Sequence, residues 1–127
     1  MLFWMDNGEQ VYEIGKTRQS FFEIAKSRLS PDEFDSIVKY IDEIIDKIVN
    51  EGGRSFVPGQ SISADWSGTP LQVVYDKACN MDSDLSALWV GLIAMQVVID
   101  RPEMWYATKT EFKGRDFEQM IYFISGN

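Results

Sequence analysis

Carboxylates are the most abundant side chains in this sequence that could do acid–base chemistry. Its 127 residues include 20 Asp and Glu and no His, so the commonest general base and transition-metal ligand is missing. Four carboxylates flank the predicted core elements: Asp65, Asp76, Asp100 and Glu103. Two of them close together in space could act as acid and base. Because chance proximity is expected among so many carboxylates, and no spacing resembles a hydrolase motif, we predict no catalytic residue.

The other reactive groups predict neither a nucleophile nor a bound metal or cofactor. Cys79 is the single cysteine, so the chain can form no internal disulfide and has no cysteine pair for zinc. It lies near the end of a predicted helix, with nothing nearby in sequence to lower the pKa of its thiol. The glycine patterns that hold phosphates are absent. Ser67-Gly68-Thr69 at a predicted helix start could bind an anion in principle, but Pro70 removes one N–H and favours a plain capping role.

The main candidate for a binding surface is the segment from Gly59 to Gln72, which overlaps a long stretch at 52–69. Loops longer than about 12 to 15 residues without structure of their own are uncommon and are usually functional, disordered or misread. This one carries glycines and serines together with large apolar side chains, which argue against disorder. The candidate binding residues are Asp65, Trp66, Ser67, Thr69 and Gln72. Trp66 is either packed on the core or an exposed contact. Whether the stretch contains a strand stays open, with Ser61 to Ala64 as the candidate.

A second candidate surface is the outer face of the clearest amphipathic helix, Pro31 to about Asn50. Its apolar side chains recur every three or four residues, as Phe34, Ile37, Val38, Ile41, Ile44, Ile45 and Ile48. The opposite face is charged, and the side chains we expect to face a basic partner are Asp35, Asp42 and Asp46. The competing interpretation, a solvated face with no partner, is the commoner use of such a surface.

The formal net charge of −8 restricts the partners that this chain can have. It disfavours a phosphate backbone and an anionic membrane surface, so we predict no nucleic-acid partner and no membrane partner. A basic protein is the partner that suits this charge. The single cysteine and the lack of signal-peptide features at the N-terminus predict a cytoplasmic protein. The oligomeric state stays open, with a homodimer among the alternatives.

The helix predicted from Leu85 to Ile99 is expected to form the core. It has no charged residue, and its length of roughly 22 Å is below that of a membrane span. Because it is apolar all round, we expect other elements to cover most of its sides. One expected face is Leu85, Leu88, Trp89, Leu92, Met95 and Ile99. The opposite stripe of small residues, Ala87, Gly91, Ala94 and Val98, should let a neighbour approach closely, which would explain Gly91.

Two further helices and a C-terminal hairpin are predicted. One helix should run from Thr17 to Leu29, and another should begin with Thr69 as N-cap and Pro70 at its first position and run to about Asn80. Aromatic and β-branched residues at Met104 to Thr110 and Asp116 to Ile124 predict an antiparallel hairpin with its turn at Lys113-Gly114.

The N-terminal segment, Leu2 to Ile14, fits two arrangements: a short hairpin with a turn at Asn7-Gly8, or an irregular arm on the core. Two strands alone are marginally stable, so the C-terminal hairpin must pack on the helices or be extended to a small sheet. The predicted fold is therefore α+β, one domain over 1–127. A four-helix, mostly α core surrounds helix 85–99, with the hairpin extended by the N-terminal segment as one option.

Two functions of different class follow from this sequence. The first is a non-catalytic interaction or accessory protein that binds a basic protein partner. The format, small, acidic, cysteine-poor and without motifs, is similar to that of immunity proteins and inhibitors, although no residue-level resemblance supports it. The alternative is a small-ligand-binding protein or minor enzyme, with a pocket between the 52–69 loop, the central helix and the C-terminal hairpin.

Overall fold

The computed structural model describes residues 1–111 and 118–124, which hold five strands, four α-helices and one π-helical turn. In chain order they are β1 (Leu2–Trp4), β2 (Gln10–Val11), α1 (Lys16–Ser27), α2 (Pro31–Asn50), β3 (Ser55–Phe56), α3 (Pro58–Ser61), the π-helical turn (Val74–Ala78), α4 (Ser83–Asp100), β4 (Trp105–Glu111) and β5 (Glu118–Ile124). Helices and a mixed sheet are both present, so the predicted α+β class is confirmed. The turn that we predict at Lys113-Gly114 lies outside the described residues.

The strands form one sheet in the order β2-β1-β4-β5-β3. β1 is antiparallel to β2 and parallel to β4, with Leu2 opposite Trp105. The N-terminal segment is therefore a hairpin that joins the sheet, as one of the two expected arrangements proposed, and its turn includes Gly8 at φ 72°. The candidate strand at 61–64 is wrong. The long stretch contributes β3 instead, which pairs with β5 through Phe56 and Tyr122.

α2 begins with the N-cap that its sequence predicts, and its predicted apolar face is the buried one. The Ser30 hydroxyl accepts a hydrogen bond from the backbone N–H of Glu33 (3.1 Å), and the Glu33 carboxylate accepts one from the Ser30 N–H (2.9 Å). This reciprocal capping satisfies two donors at the helix start. Ile37, Ile41 and Ile45 are fully buried, so the apolar stripe faces the core.

α4 is the core helix. Its buried side chains are Ser86, Trp89, Val90, Ile93, Ala94, Val97 and Val98. The Trp89 indole N–H donates to the Phe22 carbonyl oxygen (3.2 Å), and its ring lies 5.8 Å from that of Phe22. Of the larger apolar residues that we expect on one face, Leu88, Leu92, Met95 and Ile99 are half-buried and Leu85 is 41% exposed. Other elements therefore cover this face only in part.

By length and composition α4 could also cross a membrane, and it is the one such helix in the described part of the chain. Core helices of globular domains meet the same criterion. Of its 18 residues, 39% are buried against the rest of the protein.

The helix predicted from Pro70 to about Asn80 is shorter and differently wound. The chain makes a turn at Thr69 and then the π-helical turn, in which the Cys79 N–H donates to the Val74 carbonyl oxygen (2.9 Å). A periodicity argument cannot distinguish α from π winding over five residues. Asn80 and Met81 follow with positive φ, and the chain then enters α4, where Asp82 accepts from the Leu85 N–H (3.0 Å).

Candidate functional site

A cavity of about 520 Å³ lies beside the N-terminal half of α4. Residues of the segment 58–67, among them Ile62 and Trp66, form one wall, and Tyr75 in the π-helical turn contributes to another. On the α4 side its lining residues include Ser86, Ala87, Val90 and Gly91. Its volume is in the range of small-molecule sites, which are roughly 300 to 1,000 Å³.

Small residues of α4 form the floor of this cavity. Ala87 and Gly91 are four residues apart, so they lie on the same side of the helix. A Cβ placed on Gly91 would meet no atom within 4 Å. Our expectation that a close neighbour explains Gly91 is therefore wrong, because open space lies there instead. Ala94 and Val98, further along the same stripe, are fully buried, so only its first half faces the cavity.

Local hydrogen bonds hold the wall opposite α4. In α3, the Ser61 hydroxyl accepts from the Val57 N–H (3.2 Å), and Ile62 anchors the wall with 7% of its surface exposed. Further along, the Asp65 carboxylate accepts from the Ser67 N–H (3.0 Å), and the Thr69 hydroxyl donates to the Trp66 carbonyl oxygen (2.8 Å). These short-range contacts fix the backbone around Trp66 without regular secondary structure.

Four of the five predicted binding residues line the cavity: Asp65, Trp66, Ser67 and Gln72. Trp66 is half-buried, so part of its ring packs on the core while part borders the cavity. Thr69 does not line it; its hydroxyl instead accepts from the Leu71 N–H (3.2 Å). Whether any of these residues binds a ligand stays a prediction.

The pocket expected from the sequence lay between the 52–69 loop, the central helix and the C-terminal hairpin. The first two do line the cavity, but among its described lining residues none comes from the hairpin, and Tyr75 of the π-helical turn lies there instead. Tyr75 and Ser86 both line it, but neither belonged to the segment that we singled out. The available signal was the spacing of Ala87 and Gly91, which we interpreted as a site of close packing. Spacing places two small residues on one side of a helix, but it does not say whether a neighbour or a void lies opposite.

The cavity carries one charged side chain among its lining residues, all of which belong to the described part of the chain: Asp65. Hydrogen bonds from Ser67 lower the pKa of the Asp65 carboxyl, so it is ionised at neutral pH. The Ser86 hydroxyl donates to the Asp82 carbonyl oxygen (2.6 Å), and the Gln72 amide donates to Asp76 (3.0 Å). These two polar groups are therefore already bonded within the protein.

The four carboxylates singled out from the sequence have different partners. Asp65 lines the cavity, whereas Asp76 binds Gln72 and Asp100 accepts from the Gln96 amide at 3.2 Å. Glu103 belongs to a cluster around Arg101. In residues 1–111 and 118–124, no three Cys, Asp or Glu side chains are placed to hold a metal ion.

Cys79 is a buried side chain, not a reactive one. It is 2% exposed. Burial raises the pKa of its thiol, which favours the protonated, unreactive form.

The predicted acidic face of α2 divides into two parts. Asp35 is exposed. Asp42 and Asp46 instead bind the Arg101 guanidinium, at 2.6 and 2.8 Å, and share this one cation with Glu103. Contact of these three aspartates with a basic partner stays a prediction, but Asp35 is the one whose charge is free of this cluster.

Arg101 is the centre of that cluster. It is 9% exposed, and its guanidinium also binds Glu103 through two N–H groups, at 2.8 and 3.0 Å. Although burial opposes it, the surrounding carboxylates raise the pKa of Arg101, and Arg101 in turn lowers the pKa of Glu103. The cluster joins α2 to the connection between α4 and β4, which is a structural role.

Comparison with protein-family models, with curated proteins and with solved structures gave no match to this chain.

Proposed function

We propose that this protein binds a small ligand in the cavity between α4 and the segment 58–67. The observation that carries the proposal is the open floor at Gly91, where a helix interior has no side chain and no neighbour fills the space. Gly in a helix interior costs about 1 kcal/mol relative to Ala. Because no packed neighbour requires a glycine at position 91, we infer that Gly91 leaves space for a ligand.

Binding without turnover is the function that the cavity supports best. Among its lining residues, which all lie in the described ranges, Asp65 is the single ionisable carboxylate, and its pKa is lowered. A general acid–base mechanism at neutral pH needs a group whose pKa lies near the working pH. A lowered carboxyl pKa is the opposite of that requirement.

The direct test is to fill the cavity from its floor. Gly91→Phe would place a ring in the open space, whereas Ser36→Phe adds the same ring to an exposed position on α2. We expect native protein and Ser36→Phe to bind the neutral apolar dye Nile red with an increase in its fluorescence, and Gly91→Phe to lose this signal while keeping its circular dichroism spectrum. Equal dye binding by all three proteins would refute the proposed cavity function.

Recognition of a basic protein, in the manner of an immunity or accessory protein, is the second candidate function. The observations that favour it are the net charge of −8 and the exposed carboxylate of Asp35 on α2. We expect a partner that is held by charge to be lost as salt rises, because exposed charges are screened beyond about 10 Å at 0.1 M salt. Recovery of the same partner by native protein and Asp35→Lys would exclude Asp35 from that contact.

A further inference from the structure

We infer that the ligand of this cavity is an organic cation, an alkylammonium group bordered by Trp66 and Tyr75 with Asp65 as its counter-charge. This inference rests on the proposed function and adds to it the chemical class of the ligand. The shared chemistry, a quaternary ammonium group, has two sources: a free small compound, and a trimethylated lysine on another protein.

Charge is the first argument. The lining residues, all of them described, include the Asp65 carboxylate and neither Lys nor Arg. An anionic ligand would therefore meet a like charge and no basic side chain among these residues, on a protein that already carries −8. The Asn form of this side chain could make the same turn, since the Ser67 N–H needs only an oxygen acceptor. The negative charge of Asp65 is thus available to a ligand, and the fold does not depend on it.

The aromatic side chains are the second argument. Trp66 and Tyr75 come from different elements, the segment 58–67 and the π-helical turn, and both line the cavity while half-buried. The faces of aromatic rings attract cations, and Trp is the best of them. Quaternary ammonium ligands are recognised by such surroundings because they cannot donate hydrogen bonds.

The remaining lining residues favour a ligand that needs few hydrogen bonds. Ile62, Ala87 and Val90 offer apolar contact for alkyl groups. The hydroxyl of Ser86 and the amide of Gln72 already donate to partners inside the protein. A strongly hydrogen-bonding ligand, such as a sugar, would compete with these two contacts, whereas a quaternary ammonium group would not.

The test compares choline with its neutral analogue, in which a tert-butyl group replaces the trimethylammonium group. The two have nearly the same shape, so the difference in affinity reports the charge. By isothermal titration calorimetry we expect choline to bind roughly tenfold more tightly than the neutral analogue, which corresponds to about 1.4 kcal/mol. Equal affinities would overturn the inference.

Variants assign the effect to named residues. We expect Asp65→Asn to weaken choline binding several-fold and leave the weak binding of the neutral analogue unchanged, whereas Asp84→Asn, an exposed acid at the start of α4, changes neither. Tyr75→Leu should weaken choline binding as well. If Tyr75→Leu is misfolded by circular dichroism, Asp65→Asn alone decides. Choline affinity equal in native protein and Asp65→Asn would contradict the assignment.

The outcomes separate the ligand class from the cavity function. If choline does not bind but Nile red binds and Gly91→Phe removes it, the cation is wrong and the cavity function stands. If neither probe binds, both proposals fail. A peptide with one trimethyllysine distinguishes the sources: tighter binding than choline identifies a protein ligand, and weaker binding identifies a free small cation.

Discussion

At its C-terminal end α4 runs into Arg101, a buried cation held by three carboxylates, whereas its N-terminal half borders a cavity with one charged side chain. In the first region the cation is fully used by carboxylates. The second has small residues, open volume and a carboxylate that has no Lys or Arg beside it among the described lining residues. Regions that stabilise a fold satisfy their polar and charged groups internally, while regions that bind a ligand leave space and charge unpaired. This contrast, within one helix, is the basis for assigning stability to one end and binding to the other.

The largest effect should come from breaking the Arg101 cluster. Arg101→Met removes the cation and leaves Asp42, Asp46 and Glu103 facing one another. We expect a loss of about 3 kcal/mol in the free energy of unfolding, at the low end for broken buried ion pairs, because Asp42 and Asp46 are 44% and 51% exposed. Urea denaturation measures it. Arg18→Met, on the exposed surface of α1, should change stability by less than about 0.5 kcal/mol. Similar losses in both variants would show that the cluster does not stabilise the fold.

A smaller change in stability is expected when pH is lowered, and it also arises in the Arg101 cluster. Because Arg101 holds the pKa of Glu103 below its ordinary value, the stabilisation is present above the pKa of the unfolded chain, about 4.3. It is lost as pH falls through the folded-state pKa. Glu103→Gln cannot gain this proton. We therefore expect the variant to be less stable than native protein at neutral pH, and the two unfolding free energies to converge as pH falls below about 4.3. Parallel curves over this range would contradict the role of the Glu103 charge.

The smallest expected change in stability is at the cavity, and there the substitution should stabilise the protein instead of destabilising it. Gly91→Ala adds one methyl group where nothing lies within 4 Å, and Ala is the better helix former by up to about 1 kcal/mol. We expect a small rise in melting temperature, measured by differential scanning calorimetry in the absence of added ligand. A fall would show that another element packs closely on Gly91, and that the cavity is narrower than the structure indicates.

A comparison of α2 with α4 shows when the sequence predicts which face of a helix is buried. The apolar stripe of α2 alternates with charged residues, so the pattern defines one inward face, and Ile37, Ile41 and Ile45 are indeed buried. α4 is apolar on every side, so its sequence predicts a core helix but contains no polar stripe to orient it. Its orientation shows only in tertiary contacts, such as those of Trp89 with Phe22 and Phe34, whose rings lie 5.8 and 6.3 Å away.

The candidate site, too, was predicted from the sequence only in part. Sequence alone identified the segment from Gly59 to Gln72, because a long stretch with glycines, serines and large apolar side chains needs a cause, and Asp65 and Trp66 do line the cavity. It also determined the acidic charge and the lack of histidine. Only the tertiary structure decided that α4 turns Ala87 and Gly91 toward this segment, that Tyr75 joins them, and that Arg101 takes up Asp42 and Asp46. These contacts join residues far apart in the chain, and local periodicity carries no information about which distant element lies opposite.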